Sequence, residues 1–285
     1  MKNQVLHLIL PSENPGFKII EMANWTAKVF VVPRTSLKDL KNNKDSENPA
    51  VYFLFGEDKE TEEIRLYIGE TENFINRLVT HDQTKDFWDI VIGFMGSLDK
   101  AKVKYLEHLA NLEARKVGRF ISENSVSPKK PHLSDFDEIS VLDYFNKMKY
   151  ILSALGFPVF DEIPKEKQLE LDHLYYLEDV NNKDAFGKGT PLASGEFVVF
   201  KESKSRIKET PSFKGSGLRL RNKLIEEGVL KIFDDKSYTF TRDYIFKTPS
   251  AAGDAVMGRS TNGWTGWKDE KGNSLDENLR KFVSM

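Results

Sequence analysis

Tyr52, Tyr67, Arg77, His81 and Glu107 are the residues of this chain whose types and spacing could do chemistry together. A guanidinium is a planar fork of donors suited to phosphate or carboxylate. An imidazole exchanges protons near neutral pH. A phenol, with an ordinary pKa of about 10, does so only if lowered or relayed through water. Arg77 and His81 are four residues apart and so share one side of a helix. Glu107 follows Val103 by four and precedes Ala110 by three, which turns it toward an apolar helix face. A carboxylate there is costly unless it is paired or binds a metal ion. A salt bridge at the edge of the face and a metal ligand both satisfy that condition. Glu113, six residues on, falls on a different face.

The elements that must position these groups are legible around them. Ala50 to Gly56 and Ile64 to Gly69 are β-branched and aromatic runs joined by an acidic turn, which predicts a β-hairpin. Gly69 ends the second strand where a side chain would block close approach. Thr71 is placed to cap a helix from about Glu72, with Phe74, Ile75 and Leu78 as its packed face. Asp86 to Met95 suggests a third strand, with Phe87 and Trp88 as core. Leu98 to Val117 has helical periodicity through Val103, Leu106, Ala110 and Ala114. Residues 1–48 are expected to add strands beside the hairpin, being too few to bury a core of their own.

This layout resembles the GIY-YIG nuclease family. Val51-Tyr52 is similar to the end of the family's first triplet, Tyr67-Ile68-Gly69 matches the second, and Arg77 and His81 sit where its helix carries an arginine and a histidine or tyrosine. Ala50 stands where the family has glycine. The resemblance implies an α+β nuclease domain over 49–135, an antiparallel three-stranded sheet flanked by helices, with 1–48 as its extension. It implies that Glu107 is the metal ligand, that Asn124 is the asparagine that often follows it, and that Gly69 belongs to the site. It further implies Tyr52 as base or water-positioner, Tyr67 as its positioning partner and His81 as a helper in proton transfer.

The chemistry expected is endonucleolytic hydrolysis of DNA. Phosphodiester cleavage needs an activated water, a cation on the non-bridging oxygens and help for the departing oxygen. A single carboxylate suits one hard, water-rich ion, Mg²⁺ or Mn²⁺ in its place. Arg77 would clamp the phosphate. A nuclease-like binder without catalysis and a protein-interaction scaffold are the alternatives.

Bulk properties set modest bounds. The chain has 285 residues, 39% hydrophobic and 30% charged, as in ordinary globular proteins. No apolar run approaches the roughly 20 residues that span a bilayer, no membrane contact is expected, and a cytoplasmic address fits best. The absence of cysteine excludes disulfides and thiolate chemistry. A net charge of −2 means that any DNA binding must rest on local patches.

Residues 136–190 are expected to be a helical and acidic connector, and 191–285 a second, smaller α+β domain. Between Asp161 and Asp184 there are eight acids against three lysines, which places the boundary nearby. Between Lys201 and Lys223 the balance reverses, with eight basic residues against Glu202 and Glu209. Lys204, Arg206, Lys208, Arg219, Arg221 and Lys223 are therefore expected to contact DNA phosphates. Gly195 to Glu277, with Ser250-Ala251-Ala252 and the Trp264/Trp267 tail, resembles a domain of unknown function that often follows GIY-YIG domains. It is also similar to a small module attached to restriction and methylation enzymes.

Overall fold

The structure, a computed structural model, describes residues 4–11, 16–58, 64–166, 173–179 and 184–280. Met1–Asp161 and Glu162–Met285 form two compact units, each with its own sheet. The first begins with β1 (Leu6–Ile9), β2 (Lys18–Met22), β3 (Lys28–Pro33) and α1 (Leu37–Lys41). The hairpin β4 (Ala50–Glu57) and β5 (Ile64–Thr71) follows, then α2 (Phe74–Thr84), β6 (Ile90–Met95), α3 (Lys100–Val117), β7 (Ile121–Ser122) and α4 (Asp135–Ala154).

The sheet order is β1-β2-β3-β6-β4-β5-β7, antiparallel except for β5 with β7. The three strands expected from the sequence are its centre, β6-β4-β5. The amino-terminal strands reach the hairpin only through β6, which corrects the expectation that they lie directly beside it. The reason is in β4, where Ala50 to Gly56 are all buried. A strand apolar at every position needs cover on both faces and a neighbour on both edges. On one face Val51, Phe53 and Phe55 pack with α3 and α4. On the other, Ala50, Tyr52 and Leu54 pack with Phe74, Ile75 and Leu78 of α2.

The second unit contains β8 (Tyr175–Glu178), β9 (Phe186–Pro191), β10 (Phe197–Val199), β11 (Lys204–Arg206), α5 (Ser216–Glu226), β12 (Leu230–Ile232), β13 (Ser237–Phe240) and β14 (Tyr244–Phe246). It closes with α6 (Pro249–Met257), α7 (Gly263–Gly266) and α8 (Leu275–Leu279). Its strand order is β12-β13-β11-β9-β10-β14, with β8 added on β9. Residues of α5 and α6 bury one face of this sheet.

Residues 136–190 divide between the two units and are no connector. α4 buries Val141, Phe145, Met148 and Ile151 in the first core, while β8 and β9 build the second sheet. Lys204 to Arg206, inside the basic stretch, forms β11 between β9 and β13. α5 stops at Glu226 because Gly228 takes a left-handed φ of 68°, and Leu230 then opens β12. Asn262 caps α7, its side chain accepting from the Trp264 amide. Among the described residues no helix is long and apolar enough to cross a membrane.

Candidate active site

Tyr52 lies mid-strand on β4, paired with Gly69 of β5 on one side and Gly93 of β6 on the other. Directly opposed residues share a sheet face, so Gly69 clears space for the phenol and Gly93 for the Phe74 ring of α2. A Cβ at Gly69 would overlap the Tyr52 hydroxyl and come within 2.6 Å of its ring carbon Cζ. The expected reason for this glycine, close approach, is met by a side chain of the neighbouring strand.

α2 starts one turn after β5 and lies over this row. Asn73 caps it, accepting from the Asn76 amide at 3.1 Å, and Thr71, the expected cap, instead hydrogen-bonds Asn73. Arg77 and His81 then descend on the same side. The Tyr52 hydroxyl sits 2.7 Å from His81 Nε2, and Arg77 Nε donates to it at 3.2 Å. Tyr67 lies within electrostatic range of the same guanidinium. The Tyr67 and His81 rings meet edge to face at 5.3 Å. Tyr52 and His81 are buried, at 0% and 3% exposure; Tyr67 is half-buried and Arg77 exposed.

Burial sets the protonation states. It pushes the Tyr52 phenol up, reinforced by Tyr67 and opposed by Arg77. It takes His81 down to about 4, with Arg77 and Lys85 adding repulsion. Near neutral pH the cluster is therefore a cationic guanidinium, a neutral phenol and a neutral imidazole. The remaining ring nitrogen of His81, Nδ1, is buried without a hydrogen-bond partner among the described residues.

Glu107 of α3 belongs to the same cluster. Its carboxyl is pushed up to about 7, first by burial and then by the Glu70 carboxylate, with Arg77 and Lys104 opposing. Glu113 instead pairs with Lys116 at 3.8 Å. Asn124 does not join the cluster through its side chain. Its amide closes both backbone groups of Ile68, accepting from N–H at 2.9 Å and donating to C=O at 2.7 Å, and so continues the sheet edge past β7.

Two neighbours escaped the reading of the sequence. Lys85 places its ammonium 4.2 Å from the Tyr67 ring centroid. The fourfold spacing Arg77, His81, Lys85 was the available signal. Glu70, next to Gly69, carried none, because only the fold brings it to Glu107.

The basic stretch of the second unit is thinner than its sequence implies. Arg221, expected at a phosphate, is 0% exposed and hydrogen-bonds Glu209, Ser205 and the carbonyls of Ala255 and Arg206. Arg206 pairs with the buried Asp179 at 3.4 Å. Lys223 pairs with Glu227 at 3.5 Å. Arg221 faces inward because it joins α5 to Ser205 and Arg206 of β11, and Arg206 because its guanidinium is held by Asp179 and the Met257 carbonyl. Lys208 and Arg219 are exposed, and Lys204 is half-exposed.

In comparisons with known proteins, a family described as a domain of unknown function, DUF4357, matches residues 178–279, within the second unit. No curated protein and no solved structure matches this chain.

Proposed function

We propose that the first unit is a divalent-metal-dependent endonuclease that hydrolyses phosphodiester bonds in DNA. The observation that carries this reading is the meeting of Tyr52, Tyr67, Arg77 and His81, distant in sequence, on β4, β5 and α2, with Glu107 of α3 within electrostatic range of Arg77. The resemblance of this stretch to GIY-YIG nucleases gives the convergence its chemical sense.

The donor set fits one hard divalent cation. Glu107 is a partly buried carboxyl beside a second carboxylate, and a cation would relieve the repulsion that raises its pKa. No group of three or more metal-binding side chains exists among the described residues, so such an ion would keep most of its water. When bound, it supplies a Lewis acid at the phosphate and its leaving oxygen. Glu107 is the residue that would hold it.

The protein's own groups divide the remaining work. Arg77 binds the phosphate, with its Nε steered by Tyr52. Tyr52 has no surface open to solvent, so it acts as a positioning residue through Arg77 and His81. Tyr67, the half-exposed phenol, is the tyrosine that orients the attacking water. This exchanges the roles implied by the family resemblance, because the hydroxyl facing a substrate must have surface to offer. Ala50, the departure from the family glycine, is buried in the apolar cluster two residues from Tyr52, where its methyl is a packing matter.

Plasmid cleavage in Mg²⁺, with EDTA as the control, tests the reading. Arg77→Ala should keep the parent melting curve and lose most turnover. Glu107→Gln that cuts as well as the parent would sink the mechanism.

A further inference from the structure

Among the described residues, no helix packs on one face of the second sheet. Tyr175, Leu177, Leu230 and Phe240 point into the core with α5 and α6. Their alternate neighbours point the other way. On that side the register sets Phe186 opposite Lys204, Lys204 opposite Thr239 and Thr239 opposite Lys231. One row thus crosses four strands, about 14 Å at ordinary strand spacing. Phe233, two residues beyond Lys231, lies with its ring centroid 4.2 Å from the Lys204 ammonium. Tyr176 stands 6.0 Å from Phe186, ring to ring, and Lys268 bridges to Tyr176 from the far edge. Phe186 is 37% and Phe233 57% exposed. The rest of this face is closed by a separate cluster of Leu174, Val198 and Phe200.

We propose that the open part of this face binds single-stranded nucleic acid. Rings set among lysines on a pleated surface offer stacking for successive bases and cations for the phosphates between them. Unstacked bases are required, because a flat sheet cannot reach the faces of bases inside a duplex. Lys204, Lys231 and Lys268 have no ion pair among the described residues. Lys188, also on this face, is paired with Glu166 at 2.5 Å and adds nothing. Two acids oppose: Glu178 lies opposite Phe186 at the β8 edge, and Asp234 at the β12–β13 turn is held by Ser237 and the Lys236 amide, with Lys204 in range. An apolar protein partner would leave the lysines unmatched, so the charge selects a polyanion. The use made of the strand rests on the nuclease reading, but the binding does not.

The full chain carrying Glu107→Gln, in EDTA, is titrated into fluorescein-labelled oligothymidylate, oligouridylate and a DNA duplex, with anisotropy as the readout. Binding to either single strand is expected, with the duplex weaker. Phe233→Ala and Phe186→Ala should each weaken single-strand binding about ten-fold. Lys204→Gln with Lys231→Gln should lower the salt slope by roughly 1 to 2. Urea curves of each variant separate lost contacts from lost fold, and Phe233→Ser, at the more exposed ring, serves if Phe186→Ala unfolds. Absence of binding by the parent, or parental affinity in both well-folded Phe233 variants, overturns the proposal. If the parent cuts no DNA yet these variants lose binding, the nuclease reading falls and this one stands.

Discussion

Gly69 shows how narrow the tolerance of the cluster is. Its missing Cβ is the space that the Tyr52 phenol occupies, between Arg77 and His81. Gly69→Ala should cost about 1–3 kcal/mol by overpacking and should displace Arg77. Urea unfolding measures the first effect, and loss of cleavage beyond the unfolded fraction the second. The titrating groups act in opposite senses. Glu107 is raised to about 7 in the fold, so the folded state binds its proton more tightly and stability falls as pH rises from about 4.5 to about 7. His81 is lowered to about 4, so stability falls as pH drops from about 6.5 to about 4. Glu107→Gln removes only the first slope. Melting temperatures should show the variant gaining on the parent between about pH 5 and pH 7.5. Mg²⁺ should stabilise the parent at the upper end and leave the variant unmoved.

At the scale of elements, α2 is the delivery device. Its Asn73 cap fixes where the first turn begins, and from there the four-residue spacing brings Arg77 and His81 onto Tyr52. Asn73→Ala should cost about 1 kcal/mol, read from denaturant midpoints. Asn124 does the corresponding work on the opposite side of β5. Its side chain pairs with Ile68 as a strand backbone would, and the neighbouring Glu123 amide donates to Leu66 at 2.8 Å. Asn124→Ala leaves two backbone groups of β5 exposed or unpaired, at about 1–3 kcal/mol. Hydrogen exchange should report it as lost protection of the Ile68 amide, with the amides of β4 unaffected.

At the scale of the molecule, each unit carries a separate apolar core and two of the four tryptophans, Trp25 and Trp88 in the first, Trp264 and Trp267 in the second. Met1–Asp161 and Glu162–Met285 expressed apart should each unfold cooperatively, followed by their own tryptophan fluorescence. Arg221→Ala should destabilise the second by about 1–3 kcal/mol, because it removes the buried donor of the Arg206 carbonyl and the cation of Glu209, while the Ala255 carbonyl keeps Ser205. An unchanged midpoint would mean that the buried guanidinium is dispensable.

Local periodicity and residue type determined the hairpin, the helices through Arg77/His81 and Glu107, and the order in which the five site residues occur, because those signals are complete within a dozen neighbours. Strand order was not local. β6 separates β3 from β4 because a strand buried on both faces must be flanked on both edges, and nothing near residues 1–48 announces it. Burial was not local either. The same charge run holds the exposed Arg219 and the core Arg221, which differ only in which side of α5 meets β11 and α6. The row Phe186, Lys204, Thr239, Lys231 exists only through pairing of four distant strands, since register is a property of contacts between segments and not of any one of them.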